Sequence, residues 1–542
     1  AMDSQLLDLS TAQVQGLTVA QFKAMGTADF ASFESQDLAA LTPTQMRALT
    51  TDQLVAVSTQ ASVFGSAQLA VLSTAQLGAL IGGSASSTVD VTSLDPSQIG
   101  GLSAAAIAAL TTAQVAALST AHLAGLSTSQ IRALEVEDLQ VLTTDKFASL
   151  RPAQIAALTT TQLAALDTDD LVALGSHQIA ALTSAQLVSL SSERLNAMGS
   201  DQFQGLTSSQ VSKLTAAQVA AMETADLVAI SPSAMAGMST AGVAALRTDA
   251  VSALTSDQLR GLGTAQVRAL EVEDLAAISG ANLATLHTAQ IAALTTVQLE
   301  ALSTAQLGNL NTDQIKALTT AQVASLTPED LASLGTNAFD VFSTAQVRAI
   351  TPEQMVALQT ADLAVLDSAQ IRALTTQSIA AMDATQVGAL NSDQVKALTT
   401  TQIRAMDAED VAGLSSDNIA VLDSAQLRML STAQLDAMSP DQLAGLSSTQ
   451  IASLTTQQIA NLEAGDLASL SATQFDGFTT AQITALTTTQ VQAMESADLA
   501  SLSSDQFRAL QTDDIAALDP TQVGAIGTAQ AAAMTSAQLR AI

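Results

Sequence analysis

The sequence contains no cysteine, tryptophan or tyrosine, and basic residues are scarce: 18 lysines and arginines stand against 50 aspartates and glutamates, for a net charge of −32. The absence of cysteine excludes disulfide bonds, thiolate chemistry and cysteine-ligated metals. Nucleic-acid binding draws most of its affinity from basic side chains at phosphates, so the charge balance predicts no nucleic-acid partner. It also disfavours a purely electrostatic hold on anionic membranes.

Long apolar runs are absent as well. Polar residues recur so regularly that no stretch reaches the roughly 18 apolar residues of a membrane span, and we predict no transmembrane segment. No basic region followed by an apolar run opens the chain, so no signal peptide is predicted. The opening "AMDS", residues 1–4, resembles the scar left by tag removal. We expect the chain to be an excised piece or a processed form of a longer protein.

What the sequence does contain is one eight-residue unit, the octad, for which "STAQLGAL" (Ser73 to Leu80) is a fair specimen. Its places one to eight are a cap residue, then Thr, Ser or Pro, a polar residue or Ala, Gln, an aliphatic residue, a variable residue, a small residue, and Leu. Octads fill an N-terminal region, 1–80, apart from a seven-residue unit at 58–64. A Gly/Ser-rich interruption follows at 81–94, and an unbroken array of 56 octads runs from 95 to 542.

A longer period lies above the octad. "STSQIRALEVEDL" at Ser127, "GTAQVRALEVEDL" at Gly263 and "TTTQIRAMDAEDV" at Thr399 are spaced by 136 residues, or seventeen octads. We therefore divide the array into super-repeats 127–262, 263–398 and 399–534, which indicates growth by duplication of a 136-residue block.

The prolines predict the local structure. A proline has no N–H and a fixed φ, which suits the first residue of a helix and few other positions. The residue before it is then the N-cap, and the glutamine three places after the cap completes a capping box. Each octad is thus predicted to be a separate helix of under two turns. All eight prolines stand at place two: Pro43, Pro96, Pro152, Pro232, Pro328, Pro352, Pro440 and Pro520.

Such short helices are unstable alone, so packing must hold them. Places five and eight lie on one helix face and are predicted to form the core. The small residue at place seven would let neighbouring backbones approach, and place six, which holds thirteen of the eighteen basic residues, is predicted to face water. All eleven phenylalanines occupy places five or eight: Phe22, Phe30, Phe33, Phe64, Phe147, Phe203, Phe339, Phe342, Phe475, Phe478 and Phe507.

Short helices that share one buried face must keep bending the same way, which predicts an all-α, rod-like solenoid with a few helices per turn. Three to five octads per turn are compatible with the pattern. With four, the array would be a rod on the order of 150 Å long. The last octad, "TSAQLRAI", has no polar capping repeat after it, so we expect either truncation or an end that stacks on another chain.

Acid-rich octads are the candidate binding sites. A carboxylate in a first helical turn is favoured by the helix dipole, which is the structural explanation. The functional alternative is Ca²⁺ shared by acids on adjacent turns. The candidate ligands are Glu135, Glu137, Asp138, Asp167, Asp169, Asp170, Glu271, Glu273, Asp274, Asp407, Glu409 and Asp410.

No catalytic constellation is present. The histidines His122, His177 and His287 occupy three different octad places, so they cannot form a repeated ligand set. Ser and Thr recur because helix caps require them. Rows of Thr and Ser could form an ice-binding face, but capping hydroxyls are already occupied by backbone N–H groups. We predict no enzyme activity and no cofactor.

Two resemblances bear on function. "LTPEDLASL" (Leu326 to Leu334) and "ITPEQMVAL" (Ile350 to Leu358) resemble the first helix of TAL-effector repeats, but the octad period and the negative charge do not fit those DNA-binding repeats. The whole array is similar to the Leu-Thr-x-x-Gln octad arrays of large proteobacterial surface and secreted proteins of the adhesin type.

The second resemblance implies an extracellular or cell-surface structural protein: an adhesin stalk, a surface layer or a filament subunit. It also implies end-to-end or lateral self-association, with attachment to the cell through regions outside this chain. The alternative is an acidic solenoid scaffold that binds a partner protein or divalent cations.

Overall fold

A computed structural model of the chain describes residues 9–82 and 91–542, and all regular secondary structure in those residues is helical. Contacts divide the chain into two compact units, Ala1–Ala277 and Ile278–Ile542. The "AMDS" segment lies outside the described residues, as does 83–90 of the predicted interruption. No helix of the described chain combines the length and apolarity needed to cross a membrane.

In the first unit, the described α-helices are Thr11–Gly16, Val19–Ala24, Thr27–Ala31, Ser35–Ala40, Pro43–Ala48, Thr51–Ala56, Ser66–Leu69, Thr74–Gly82, Pro96–Gly101, Ala104–Ala108, Thr112–Ala117, Thr120–Gly125, Thr128–Ala133, Val136–Gln140, Thr144–Ser149, Pro152–Ala157, Thr160–Ala165, Thr168–Val172, Ser176–Ala181, Ser184–Ser189, Ser192–Asn196, Ser200–Gln204, Ser208–Val211, Ala216–Ala221, Thr224–Ala229, Pro232–Met235, Thr240–Val243, Thr248–Ala253, Ser256–Gly261, Thr264–Ala269 and Val272–Ala277. Two 3₁₀-helices join them, Ser58–Val63 and Val91–Ser93.

In the second unit, the helices are Gly280–Leu283, Thr288–Ala293, Thr296–Glu300, Thr304–Leu307, Thr312–Ala317, Thr320–Ser325, Pro328–Ser333, Thr336–Val341, Thr344–Arg348, Pro352–Ala357, Thr360–Ala364, Ser368–Ala373, Thr376–Ala380, Ala384–Gly388, Ser392–Ala397, Thr400–Ala405, Ala408–Gly413, Ser416–Ala420, Ser424–Leu427, Thr432–Asp436, Pro440–Ala444, Ser448–Ser453, Thr456–Asn461, Ala464–Ala468, Ala472–Phe475, Thr480–Ala485, Thr488–Ala493, Ser496–Ser501, Ser504–Ala509, Thr512–Ala516, Pro520–Gly524, Thr528–Ala533 and Ser536–Ala541.

Each octad is its own helix, as the prolines predict. Every proline is the first residue of its helix, where a missing N–H costs nothing. The helix at Thr51 shows the usual start. The backbone N–H of its cap, Thr50, donates to Oε1 of Gln53 over 2.8 Å, and the Gln53 N–H donates to the Thr50 hydroxyl over 3.3 Å. The predicted capping box is confirmed.

Helices end because the place-eight residue is extended. Leu118, at φ −62° and ψ 132°, still donates its N–H to the carbonyl of Val115, and the next cap, Ser119, is extended too. Two extended residues redirect the chain before the next helix begins. Gly335 differs, since the residue before it remains helical and the chain turns through a positive φ of 75° that glycine adopts without strain.

The helices form a solenoid with three helices per turn. Within each unit a helix packs on the third helix before and after it, so that Thr120–Gly125 packs on Pro96–Gly101 and Ala384–Gly388 packs on Ala408–Gly413. Three octads therefore complete one turn. This number is the lowest of the three to five predicted from the sequence, and it is smaller than the four used to calculate the rod length. The 3₁₀-helix Ser58–Val63 takes the place of a regular helix and packs on Ser35–Ala40.

The core consists of places five and eight, as predicted. All eleven phenylalanines are buried, and place-six side chains such as Arg132 and Arg268 are exposed. The small residue at place seven does allow close backbone approach: a Cβ added at Gly205 would lie 2.5 Å from the carbonyl oxygen of Ser176. The apolar residues thus line the inside of each turn, and the variable residues lie outside.

Candidate functional site

The most regular polar feature is a series of buried glutamines at place four, which we call the glutamine ladder. Each side chain accepts the cap N–H of its own helix through Oε1. In most of them Nε2 donates to backbone carbonyls 28 and 31 residues earlier, which end the helix four octads before. Gln402, for example, accepts from the N–H of Thr399 over 2.8 Å and donates to Ile371 and Leu374 over 2.8 and 2.9 Å. Across the interruption the separations are larger, and Gln98 reaches carbonyls 34 and 36 residues earlier.

The ladder joins successive turns of the solenoid. In the first unit it begins with Gln45, which donates to the carbonyl of Val14, and in the second unit it extends to Gln538, which donates to that of Leu510. The carbonyls it reaches are helix-end groups that lack partners within their own helix. The sequence analysis predicted only that these glutamines cap their own helices. Their donation to an earlier turn could not be predicted, because it depends on how the turns pack.

Several other polar residues at place four also donate to backbone carbonyls of an earlier turn. Asn418 donates to the carbonyl of Leu390 over 2.7 Å, Ser378 to Ile350 over 3.0 Å, and Lys146 to Ala116 over 2.5 Å. Arg194 donates to the carbonyl of Ala164. His122 is buried and accepts the N–H of Ser119 through Nδ1 over 3.2 Å, in the manner of glutamine.

Aspartate differs from these polar residues at place four, because an ionised carboxylate cannot donate. One oxygen of Asp514 accepts the N–H of Gln511 over 3.0 Å, and the other accepts the hydroxyl of Thr488 over 3.0 Å. Thr488 stands at place two, three octads earlier. The same hydroxyl contact joins Ser200 to Asp226 over 3.1 Å. No local pattern of residues indicates this pairing, since the partners are 26 residues apart.

Burial raises the pKa of most of these carboxyls. Desolvation, followed by the charge of Asp167, raises the pKa of Asp170 to about 6. Desolvation also raises the pKa of Asp410 to about 6, with further contributions from Asp407, Asp383 and Glu409. Ala384 stands 26 residues before Asp410, where Asp514 has Thr488, so Asp410 lacks the corresponding hydroxyl donor. Burial raises the pKa of Asp138 and Asp274 too, and Oδ2 of Asp274 is buried without a hydrogen-bond partner.

The twelve predicted calcium ligands divide by octad place. Those at place four, Asp138, Asp170, Asp274 and Asp410, are buried. The others are exposed: Glu135, Glu137, Asp167, Asp169, Glu271, Glu273, Asp407 and Glu409. Over the described residues, no three acids or histidines are grouped as metal ligands would be. Calcium binding by these residues stays a prediction. His177 and His287 are exposed.

The octad and its buried glutamine define a known repeat, because a family model described as the ALTTAQ repeat matches well over half of the chain. The chain belongs to the ALTTAQ repeat family. The matched residues are 30–62, 87–120, 115–152, 131–168, 147–184, 163–196, 182–216, 219–256, 267–304, 296–328, 327–360, 355–392, 363–400, 387–424, 419–456, 459–496, 491–528 and 509–542.

Other comparisons with this ALTTAQ array are weak. No curated protein matches it. Among solved structures, importin beta is 12% identical over 98% of this chain and 88% of that chain, with a TM-score of 0.18. An engineered protein is 15% identical over 79% and 97% with a TM-score of 0.16, and APUM23-GGAAUUGACGG is 12% identical over 92% of each with a TM-score of 0.16. TM-scores this low carry no argument about function.

Proposed function

We propose that this ALTTAQ array is a non-enzymatic structural protein of the bacterial cell exterior, serving as an adhesin stalk or as the protomer of a filament or surface layer. The observation that carries the proposal is the glutamine ladder. Most rungs bind helix-end carbonyls 28 and 31 residues earlier and thereby join successive turns, so separating two turns would break several buried hydrogen bonds together. Unsatisfied buried polar groups are costly, and a ladder of this kind resists bending and stretching.

The rest of the polar chemistry supports a structural role. Most hydroxyls at place one act as helix caps, as at Thr50 and Thr399, and the buried imidazole of His122 accepts a cap N–H. The variable residues at place six face solvent, and the strong negative charge favours a soluble, well-hydrated surface. These groups serve the fold, which is why we propose no catalytic activity.

Location outside the cell rests on the resemblance to octad arrays of large surface and secreted proteins. Immunogold labelling of intact cells of the source organism tests it. Label on the outer surface is the expected result, and label confined to permeabilised cells would contradict the proposed location.

Negative-stain electron microscopy of the purified chain at two concentrations, with and without Ca²⁺, tests the structural role. We expect extended particles of uniform width. Fibres much longer than one chain would favour the filament protomer, and single extended particles would favour the stalk. Compact, irregular particles under all conditions would contradict both.

A binding scaffold is the alternative, and one observation favours it. Asp145, Asp169 and Glu193 are exposed at place three of successive turns, spaced by 24 residues, and form an acidic row on one helix stack. Such a row suits a basic partner protein or divalent cations. Calorimetric titration with Ca²⁺ is the test, with Asp145→Asn/Asp169→Asn as the variant. Heat that disappears in the variant would support the scaffold, and no heat in either protein would count against the cation form of it.

A further inference from the structure

One stack of helices in the second unit carries an ordered pattern of charge, and we call it the bipolar face. It consists of five helices on successive turns: Thr344–Arg348, Ser368–Ala373, Ser392–Ala397, Ser416–Ala420 and Pro440–Ala444. Each packs on the next one in the stack. All five present places three and six outward.

The charges on this face change sign along the stack. Place six is basic on the first three helices, with Arg348, Arg372 and Lys396, and alanine on the last two. Place three is alanine on the first two helices and acidic on the last three, with Asp393, Asp417 and Asp441. All six charged side chains are exposed. One end of the face is therefore positive, the other is negative, and both charges repeat once per turn.

These charges have no salt-bridge partners within the described chain, where the one ion pair is Arg247 with Asp249. Arg372 donates through Nε to the carbonyl of Ala397 over 3.1 Å, which leaves its other four N–H groups. One more acid lies on the stack, Asp367, and its Oδ1 accepts two N–H groups of its own helix. The face is thus nearly neutral in a chain of net charge −32.

A groove lies at the positive end. It has a volume of about 600 Å³, and its lining includes Thr320, Thr344, Arg348, Ala369 and Arg372. Because the alanine and threonine side chains are small, the groove lies open beside the guanidinium groups of Arg348 and Arg372. Carboxylate side chains of an opposing surface could enter there.

We infer that the bipolar face binds the same face of a second copy, with the two stacks antiparallel about a two-fold axis. Inversion of the stack places Arg348 opposite Asp441 of the other copy, Arg372 opposite Asp417, and Lys396 opposite Asp393. Each pair forms twice, which is what a self-complementary two-fold interface requires. Places three and six are offset by about 4.5 Å along a helix, a distance that long arginine and lysine side chains can bridge.

The distribution of charge favours a second copy of this chain as the partner. Elsewhere on this chain the surface is predominantly negative, and two copies would repel each other, whereas at the bipolar face the opposite ends attract. The spacings also match without adjustment, because both rows repeat at the pitch of the same solenoid. The inference gives the proposed structural role a specific lateral contact, but a failure to pair would leave that role to be decided by microscopy.

Sedimentation velocity over a range of protein concentrations is the first test. At about 0.1 M salt, where the Debye length is about 10 Å, the overall repulsion is screened and contact pairs persist, so we expect a monomer–dimer equilibrium. At about 1 M salt the length falls to about 3 Å and the dimer should dissociate. A chain that stays monomeric at every concentration in about 0.1 M salt would overturn the inference.

Charge reversal tests which residues pair. Arg348→Asp/Arg372→Asp should raise the dimer dissociation constant at least about ten-fold, because four of the six pairs become repulsive. Adding Asp417→Arg/Asp441→Arg restores opposite charges and the original net charge, and should bring the constant back to near that of the unmodified chain. The matched control is Arg404→Asp/Arg428→Asp, which makes the same charge change on a neighbouring stack. Equal weakening by the control, or no rescue by the quadruple variant, would overturn the proposed pairing.

A deletion tests the stacking geometry without changing charge. Removal of 375–382, an uncharged octad between the second and third helices of the face, should move the acidic residues to another stack and abolish dimerisation. Removal of 447–454, an uncharged octad beyond the face, should leave dimerisation unchanged. Circular dichroism confirms that both variants keep their helices. Dimerisation by both deletion variants would contradict the bipolar face.

Discussion

Gln458 is buried, and Gln457 beside it is exposed. The buried side chain accepts the N–H of Thr455 over 2.8 Å and donates to the carbonyls of Leu427 and Leu430 over 2.9 and 2.8 Å. Gln457 stands at place three and faces solvent. The two residues therefore allow the ladder to be tested by the same substitution at neighbouring positions.

Gln458→Met keeps the length of the side chain and removes its hydrogen bonds. One N–H and two carbonyls would be left buried without a partner, and we expect the free energy of unfolding of the surrounding turns to fall by about 2–4 kcal/mol. Urea denaturation and hydrogen exchange at the Thr455 amide are the measurements. Gln457→Met is the control and should have little effect. Equal effects of the two substitutions would show that the ladder does not stabilise the turns.

Asp410 occupies the same position with a carboxylate. Its Oδ2 accepts the N–H of Asp407 over 3.1 Å, but the carboxylate can donate to the carbonyls of Ile379 and Met382 only when it is protonated. Because its pKa is raised to about 6 from the ordinary 3.8, the folded chain holds a proton that the unfolded chain releases between those values. Its contribution to stability is therefore greatest below about pH 4 and is lost as the pH rises through about 6.

Asp410→Asn supplies the donor permanently, as Asn418 does at its own octad. We expect the free energy of unfolding at pH 7 to rise by roughly 1–2 kcal/mol and its decline between pH 4 and pH 6 to become smaller. Denaturation at a series of pH values measures both. Glu409→Gln removes the same charge from the exposed neighbour and should change neither by a comparable amount. A destabilised Asn variant would refute this account of the position.

At the scale of the helix, place seven decides how closely two turns can approach. Gly205 follows the helix Ser200–Gln204, which packs on Ser176–Ala181. A Cβ there would lie 2.5 Å from a backbone oxygen, which cannot move aside as a flexible side chain can. Gly524 ends the helix Pro520–Gly524 and has no atom within 4 Å of the corresponding position.

Gly205→Ala should therefore push two turns apart and lower the stability of that region by about 1–3 kcal/mol. Gly524→Ala should be neutral or stabilising by about 0.5–1 kcal/mol, since alanine favours the helix. Chemical denaturation of the two variants gives the comparison. Similar stability changes in both would mean that the close contact at Gly205 is relieved without cost.

At the scale of the whole molecule, each octad interacts with its chain neighbours and with octads three and four units away. Stability is then a sum of local and turn-to-turn contributions, as in other repeat proteins. Because nearly every octad offers the same cap, glutamine and leucine, removal of a complete octad lets each glutamine find an equivalent carbonyl. Removal of a partial octad does not.

Deletion of 447–454 should leave the helical content per residue and the denaturation midpoint nearly unchanged. Deletion of 451–454 removes half an octad and places the cap Thr455 where the core residue Ile451 belongs, and should destabilise the turns on both sides by several kcal/mol. Circular dichroism and urea denaturation measure the difference. Equal tolerance of both deletions would contradict the octad as the structural unit.

The octad pattern alone was enough to predict the all-helical solenoid, the helix starts and the residues of the core. Proline at place two, a cap before it and Phe, Leu or Ile at places five and eight are local signals, and local chemistry acts within one octad. The predicted capping box, the buried phenylalanines and the exposed place six are all confirmed for this reason.

The contacts between successive turns could not be predicted in this way and were established by the folded chain. The period of eight is compatible with several numbers of helices per turn, and the packing of three fixed which residues meet at separations of 24 to 31. That spacing gave Gln402 its second set of partners, placed Thr488 against Asp514 and aligned Arg348, Arg372 and Lys396 on one stack. Which residues meet between turns depends on how the large apolar side chains fill the interior of the solenoid. The residues of a single octad do not determine this packing.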